Sequence, residues 1–162
     1  QDMNIISLAS RYKKGIILLV NKWDLVEKDS HTADEYRKIL QEKLGPLGYV
    51  PILFVSMITK QRVFQAITKA QEVFQNMYKH LPTNELNEKM LQVVNAYPPP
   101  AVKGHYVRIK YITQLKKTPP SFIFFCNYPK YIKDPYKRYL ENQLRKKYNF
   151  EGVPLQLFFR KK

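Results

Sequence analysis

A chain of 162 residues with 44% apolar content can build one domain or two small ones. No apolar run approaches membrane-spanning length and no signal-peptide pattern opens the chain, while the single Cys126 excludes an internal disulfide and fits a reducing compartment, the cytoplasm. The net charge of +15 is uneven: residues 1–80 hold 12 Lys/Arg against 8 Asp/Glu, and residues 81–162 hold 16 against 5. A basic excess in the second half calls for a polyanion, with a merely solvated basic surface as the plain alternative.

The chain opens on Gln1 in mid-pattern, which leads us to expect a fragment. Ile5, Leu8, Ala9 and Tyr12 recur at helical spacing and predict a first helix, stopped by Gly15. Residues 16–20 are β-branched or Leu throughout, as expected of a parallel strand covered on both faces. A loop through Glu27, Lys28, Asp29 and Ser30 leads to a helix with Tyr36, Leu40 and Leu44 on one face, ended by Gly45-Pro46. Residues 51–55 read as a second buried strand. Residues 62–79 read as a long amphipathic helix, with Val63, Ala66, Ile67, Ala70, Val73, Phe74 and Met77 on its apolar side. Alternating helices and strands imply a parallel sheet with helices packed on it.

Pro82 cannot continue that helix and marks a boundary, with Thr83 as the expected N-cap of the next. Leu86, Met90, Val93, Val94 and Tyr97 share a face of this helix, and Pro98-Pro99-Pro100 ends it. Residues 106–112 alternate, with Val107, Ile109 and Tyr111 one way and Arg108 and Lys110 the other. Residues 122–126 are apolar on both faces and predict a central strand. Asp134-Pro135 reads as an N-cap followed by an N1 proline. The helix after it turns Tyr136, Leu140 and Leu144 inward. Residues 153–160 form the last strand. The second half thus reads α-β-β-α-β, a three-stranded sheet backed by helices.

Asn21-Lys22-Trp23-Asp24 follows the first buried strand directly. A strand ending in Asn-Lys-x-Asp is how P-loop GTPases read guanine. The Asn amide meets the imidazole edge, the Lys stem lies along the base, and the Asp carboxylate accepts from the ring N–H and the exocyclic amine. Ser56-Met57 at the end of the second strand takes the place where a backbone N–H donates to the guanine carbonyl. The two strand ends would share the carboxyl edge of the sheet, where ligands of α/β folds bind. The phosphate half is missing: none of the five glycines is followed by Lys, so there is no P-loop Gly-Lys-Ser/Thr, nor any Asp-x-x-Gly metal loop. No catalytic residue and no metal ligand is assigned, and His31, His80 and His105 show no metal spacing. Gly45-Pro46-Leu47-Gly48 matches the backbone clamp of KH domains, but it lies between a helix and a buried strand and reads as a turn.

The basic residues of the second half point to structured RNA, met through shape and phosphates, against a solvated basic face. Arg108 and Lys110 share a strand, Lys116 and Lys117 tip a loop, and Lys130 and Lys133 precede a helix bearing Lys137, Arg138, Arg145, Lys146 and Lys147. Tyr128, Tyr131, Tyr136, Tyr139 and Tyr148 could stack on bases or pack as core and rim.

The stretch "GIILLVNKWDLVEK" (15–28) resembles the guanine-specificity strand of the second G domain of the Der (EngA) GTPases, and "PILFVSMITKQRV" (51–63) resembles the base-contact loop that follows. "TNELNEKMLQVVNAYPPPAVKG" (83–104), "IKYITQLKKTPPSFIFFCNYP" (109–129) and "RYLENQLRKKYNFEGVPLQLFFRKK" (138–162) resemble that family's C-terminal KH-like domain. The resemblance implies two tandem G domains, a KH-like domain without the Gly-x-x-Gly loop, and GTP-dependent assembly of the large ribosomal subunit in bacteria. It implies an α/β partial P-loop GTPase domain over 1–81, followed by an α+β KH-like domain over 82–162. Asn21, Lys22 and Asp24 become guanine contacts, with Ser56 and Met57 in the base loop. The family usually has Ser-Ala at that point and often Gly where Lys60 stands. The parent would hydrolyse GTP to GDP and phosphate with Mg²⁺, whereas this chain alone is expected to be inactive and to hold no nucleotide tightly. Expected partners are the large subunit and its rRNA and the missing G domains, with no membrane. The rival reading is a KH-like domain that packs on the G domains and relays nucleotide state. A third is a nucleotide-free scaffold.

Overall fold

The structure is a computed structural model and describes residues 2–27, 29 and 31–161; the expected loop residues Lys28 and Ser30 lie outside the described residues. The chain forms two compact units, residues 1–77 with 150–154, and residues 78–149 with 155–162. The expected division at 81/82 falls slightly downstream of this one, and the return of residues 150–154 to the first unit has no signal in the sequence pattern.

In the first unit, α1 (Asp2–Arg11), β1 (Leu18–Val20), α2 (Thr32–Leu44), β2 (Ile52–Phe54) and α3 (Val63–Tyr78) follow in order. β1 and β2 pair in parallel, Leu18 with Ile52 and Val20 with Phe54. The core gathers Ile6, Ile16, Trp23, Leu44, Val50, Ile52 and Phe54, and Leu40 packs against it. The turn leading into α2 is tied by Asp29: its Oδ1 accepts from the His31 and Thr32 N–H groups, both at 2.8 Å, and its N–H donates to Thr32 Oγ1 at 3.0 Å, while the N-cap His31 makes no side-chain cap bond. These bonds favour the carboxylate and lower its pKa.

The buried faces of α1 and α3 differ from what apolar spacing alone marks. In α1 the buried residue is Ile6, with Ala9 against the core, while Ile5, Leu8 and Tyr12 point outward. In α3 Ala66, Val73 and Asn76 are buried, while Phe64, Ile67 and Phe74 are exposed. The α3 interior is partly polar because it receives residues 150–154. Asn76 Nδ2 donates to Glu151 O at 3.0 Å, and Lys69 Nζ bridges Glu72 (2.6 Å) and Glu151 (3.0 Å). Both carboxylates raise the Lys69 pKa. Gly152 donates to Tyr49 O and accepts from Ile16 N–H, each at 2.7 Å. Its φ of +77° and the contact an added Cβ would make with Val73 together require glycine.

The second unit contains α4 (Thr83–Ala96), β3 (Ile109–Leu115), β4 (Ser121–Cys126), α5 (Asp134–Lys147) and β5 (Gln156–Arg160). The α-β-β-α-β order is as expected, with β4 central, antiparallel to β3 and parallel to β5. Leu86, Met90, Ile112, Phe122, Phe124, Leu140 and Leu144 form its core. Burial pushes the Cys126 thiol up.

Three local expectations are corrected. α4 starts on Thr83 itself, after Pro82, with no side-chain cap. α5 starts on Asp134, whose carboxylate binds Lys137 rather than capping. The alternation over 106–112 breaks at a bulge between Ile109 and Tyr111. The bulge turns Lys110 and Tyr111 outward together and brings Ile109, Ile112 and Gln114 inward. Gln114 is satisfied there: it accepts from Leu81 N–H at 2.8 Å and donates to Lys79 O at 2.7 Å.

Asn87 closes the free edge of β3, taking Ile112 N–H at 2.9 Å and donating to Ile112 O and Thr83 O, each at 2.7 Å. Asn87→Ala leaves that backbone pair without its partner. It is expected to cost about 2–4 kcal/mol, read as a lower urea midpoint for loss of the second unit; an unchanged midpoint would contradict the edge-closing role.

Candidate functional site

β1 and β2 end level, and the backbone continues their pairing past the ends. Val55 N–H donates to Val20 O at 2.9 Å, and Trp23 N–H donates to Val55 O at 3.0 Å. Trp23 is buried, with its ring 4.2 Å from Phe54 and edge-on to Tyr36 at 5.4 Å. The variable position of the Asn-Lys-x-Asp pattern is therefore the anchor of the loop, a role that the motif alone does not announce. Around it Asn21 and Lys22 are exposed and Asp24 is partly buried.

On the neighbouring strand end, Ser56 is fully buried. Its N–H donates to Gln61 O at 3.1 Å, and its Oγ accepts from Thr59 N–H at 3.2 Å, so the hydroxyl shapes the loop. Met57 is half-exposed, and its N–H donates to Asn21 Oδ1 at 3.2 Å. That bond links the two strand-end loops and brings Asn21, Lys22, Asp24, Ser56 and Met57 to one end of the parallel pair. Three residues in these loops, Lys22 (φ 61°), Lys60 (φ 58°) and Arg62 (φ 59°), are left-handed. Each such residue costs about 1–2 kcal/mol, and strain of this kind collects at binding loops. The left-handed backbone at Lys60 is one that glycine adopts without strain.

The basic residues of the second unit lie on several of its elements. Arg108 lies before β3, its N–H held by Asn127 Oδ1 at 2.8 Å, and Lys110 sits at the bulge. Lys116 and Lys117 occupy the β3–β4 loop, with Lys117 Nζ 4.6 Å from the Phe158 ring centre. On α5, Lys137 pairs with Asp134 and Arg145 with Glu141, each at 2.8 Å, while Arg138 and Lys146 are exposed. Asp134, Lys137, Arg138, Glu141, Leu155 and Leu157 line an open cleft of about 260 Å³ whose charges are mixed. The tyrosines divide in the same way. Tyr148 is buried under Lys89, and Tyr136 is buried with its hydroxyl donating to Tyr97 O at 2.8 Å. Burial pushes the Tyr136 phenol far above its usual range. Tyr139 packs 5.5 Å from Tyr136, whereas Tyr128 and Tyr131 sit at the surface beside His105. Among the described residues, no His, Cys, Asp and Glu cluster is placed to hold a metal, and no helix is long and apolar enough to cross a membrane.

Comparison with known proteins bears on both halves. The family model described as the KH-domain-like part of EngA bacterial GTPase enzymes, C-terminal, matches residues 80–160. Proteins named GTPase Der from Amoebophilus asiaticus, Christiangramia forsetii and Cytophaga hutchinsonii are 57%, 51% and 49% identical to this chain over all 162 of its residues. The chain belongs to the Der (EngA) family. It spans 37% of the length of each of these relatives. Within the Der family match, the KH-like residues include the segment 150–154 that packs in the first unit. No Gly-x-x-Gly occurs in that half, so a backbone clamp of the usual KH type is not available to it.

Proposed function

We propose that residues 1–81 are the guanine-reading back half of a G domain, and that this chain is part of a longer Der protein that hydrolyses GTP during maturation of the large ribosomal subunit. The carrying observation is the Asn21–Met57 bond across the ends of two parallel strands. It places a side-chain amide and a backbone N–H together where α/β folds take their ligands. The exposed apolar residues Ile5, Leu8, Tyr12, Phe64 and Ile67 are compatible with the reading. Asn21, Lys22 and Asp24 would hold the base, with the Met57 N–H turning to its carbonyl and Ser56 fixing the loop. The phosphates and Mg²⁺ would be held by residues outside these 162, and phosphoryl transfer depends on those groups. The chain alone is therefore expected to be inactive.

In the same proposal the KH-like residues 82–162 dock on rRNA, supported by the basic excess of that half. Sedimentation of the chain with purified large and small subunits over a salt series tests this. Arg108→Glu with Lys110→Glu is expected to lower large-subunit affinity by about 10-fold or more and to shrink the salt slope by about 2. The mixed-charge cleft beside Lys137 and Arg138 favours a second reading for α5, contact with protein and relay of nucleotide state. If reversing Arg108 and Lys110 leaves ribosome binding intact while reversing Lys137 and Arg138 alters GTPase regulation, the second reading replaces the first.

A further inference from the structure

Between Ala101 and Lys133 the sequence holds seven Lys/Arg and no Asp or Glu. The fold sets an aromatic cluster in the same segment. Val102 and His105 close a tight turn by exchanging N–H···O bonds of 3.1 and 3.0 Å, with Lys103 and Gly104 both left-handed. The turn brings His105 flat against Tyr131, with centroids 4.9 Å apart and planes at 12°, and 4.9 Å from Tyr128. Lys130 Nζ lies 5.0 Å from the Tyr131 ring centre. Asn127 fixes the frame: its Oδ1 accepts from the Arg108 and Tyr128 N–H groups at 2.8 and 3.0 Å, and its Nδ2 donates to Tyr106 O at 2.9 Å. Tyr128 remains 39% exposed and Tyr106 72% exposed, so both rings are open to solvent although their backbones are pinned.

We propose that this cluster is a stacking platform for unpaired nucleotides of single-stranded RNA. Bases would lie on Tyr128 and Tyr106, and the sugar-phosphate chain would run past Lys103, Arg108 and Lys130. Exposed rings on a rigid backbone offer a face that any base can use, and the surrounding cations neutralise phosphates. His105 and Tyr131 pack beside Tyr128, with ring centres 4.9 and 6.0 Å from its own. A solvated basic face needs no such pinning of aromatic rings, and an acidic peptide would use the charges without the rings. The inference rests on the RNA reading above and sharpens it: the KH-like domain would take a loop or bulge, away from the position of the usual clamp.

The test titrates the 162-residue chain, at one salt concentration, with a labelled single-stranded RNA 12-mer, the same strand with abasic sites, a duplex of equal charge, and polyglutamate. The intact single strand is expected to bind about 10-fold or more tighter than the abasic strand and the duplex. Tyr106→Ala with Tyr128→Ala should erase that preference, a loss of about 10- to 100-fold, without changing the affinity for the abasic strand. The corresponding Phe variants should keep the preference, which separates stacking from misfolding. Equal affinity for intact, abasic and duplex RNA overturns the platform while leaving charge-based RNA docking in place. Absence of binding to every RNA removes both readings. Polyglutamate binding as tightly as RNA also overturns the platform and assigns the patch to acidic protein.

Discussion

Asp24→Asn, introduced into the longer GTP-hydrolysing protein, should weaken GTP binding by about 10²- to 10³-fold and admit xanthosine triphosphate in its place. The carboxylate would accept two hydrogen bonds from guanine, each worth roughly 1.5–3 kcal/mol because one partner is charged. An amide keeps one acceptor and turns a donor toward the exocyclic amine. Losing about 3–4 kcal/mol corresponds to the stated range. Xanthine carries a carbonyl where guanine has that amine, so the Asn donor finds a partner again. The packing of Trp23 on Phe54 and Tyr36 is untouched by the change, so the loop should keep its place. Fluorescence titration with both nucleotides reads the result, and an unaltered preference for GTP would remove Asp24 from the base site.

Amide exchange of the 162-residue chain should divide along the two units. The slowest amides of β4 are expected to exchange at least about 100-fold more slowly than those of β1 and β2. β4 is paired on both sides, with Phe122 and Phe124 fully buried. β1 and β2 are three residues each and pair only with one another among the described residues. A two-stranded sheet beside outward-facing Phe64, Ile67 and Phe74 has little burial with which to resist local opening. Equal protection in the two units would contradict the lower local stability expected of β1 and β2.

The α-β-β-α-β order, the central position of β4 and the inward face of α5 were legible because each rests on a local period. The Asn-Lys-x-Asp loop offers itself as a candidate because the pattern is written in adjacent residues. What escaped the pattern depended on partners far along the chain. The buried faces of α1 and α3 could not be read this way, because apolar spacing marks a face without saying what covers it. Asn76 is buried against Glu151, and nothing near position 76 announces that. The bulge at Lys110 re-aimed Tyr111, since a strand's alternation holds only while its register does. Asn127, a single polar residue after a strand, gave no sign that it pins both Tyr106 and Tyr128.

The return of residues 150–154 to the first unit bears on how such a protein can be divided. A polypeptide that leaves one unit, completes most of another and then comes back cannot be parted by one cut. A protease acting near Leu81-Pro82 would sever the chain once and still leave Gly152 holding the backbone of Ile16 and Tyr49. A gene fragment beginning at the KH-like domain would carry Glu151 and Gly152 without the groups they bind. A cut that separates the units by sequence alone would therefore part residues 150–154 from the groups they bind.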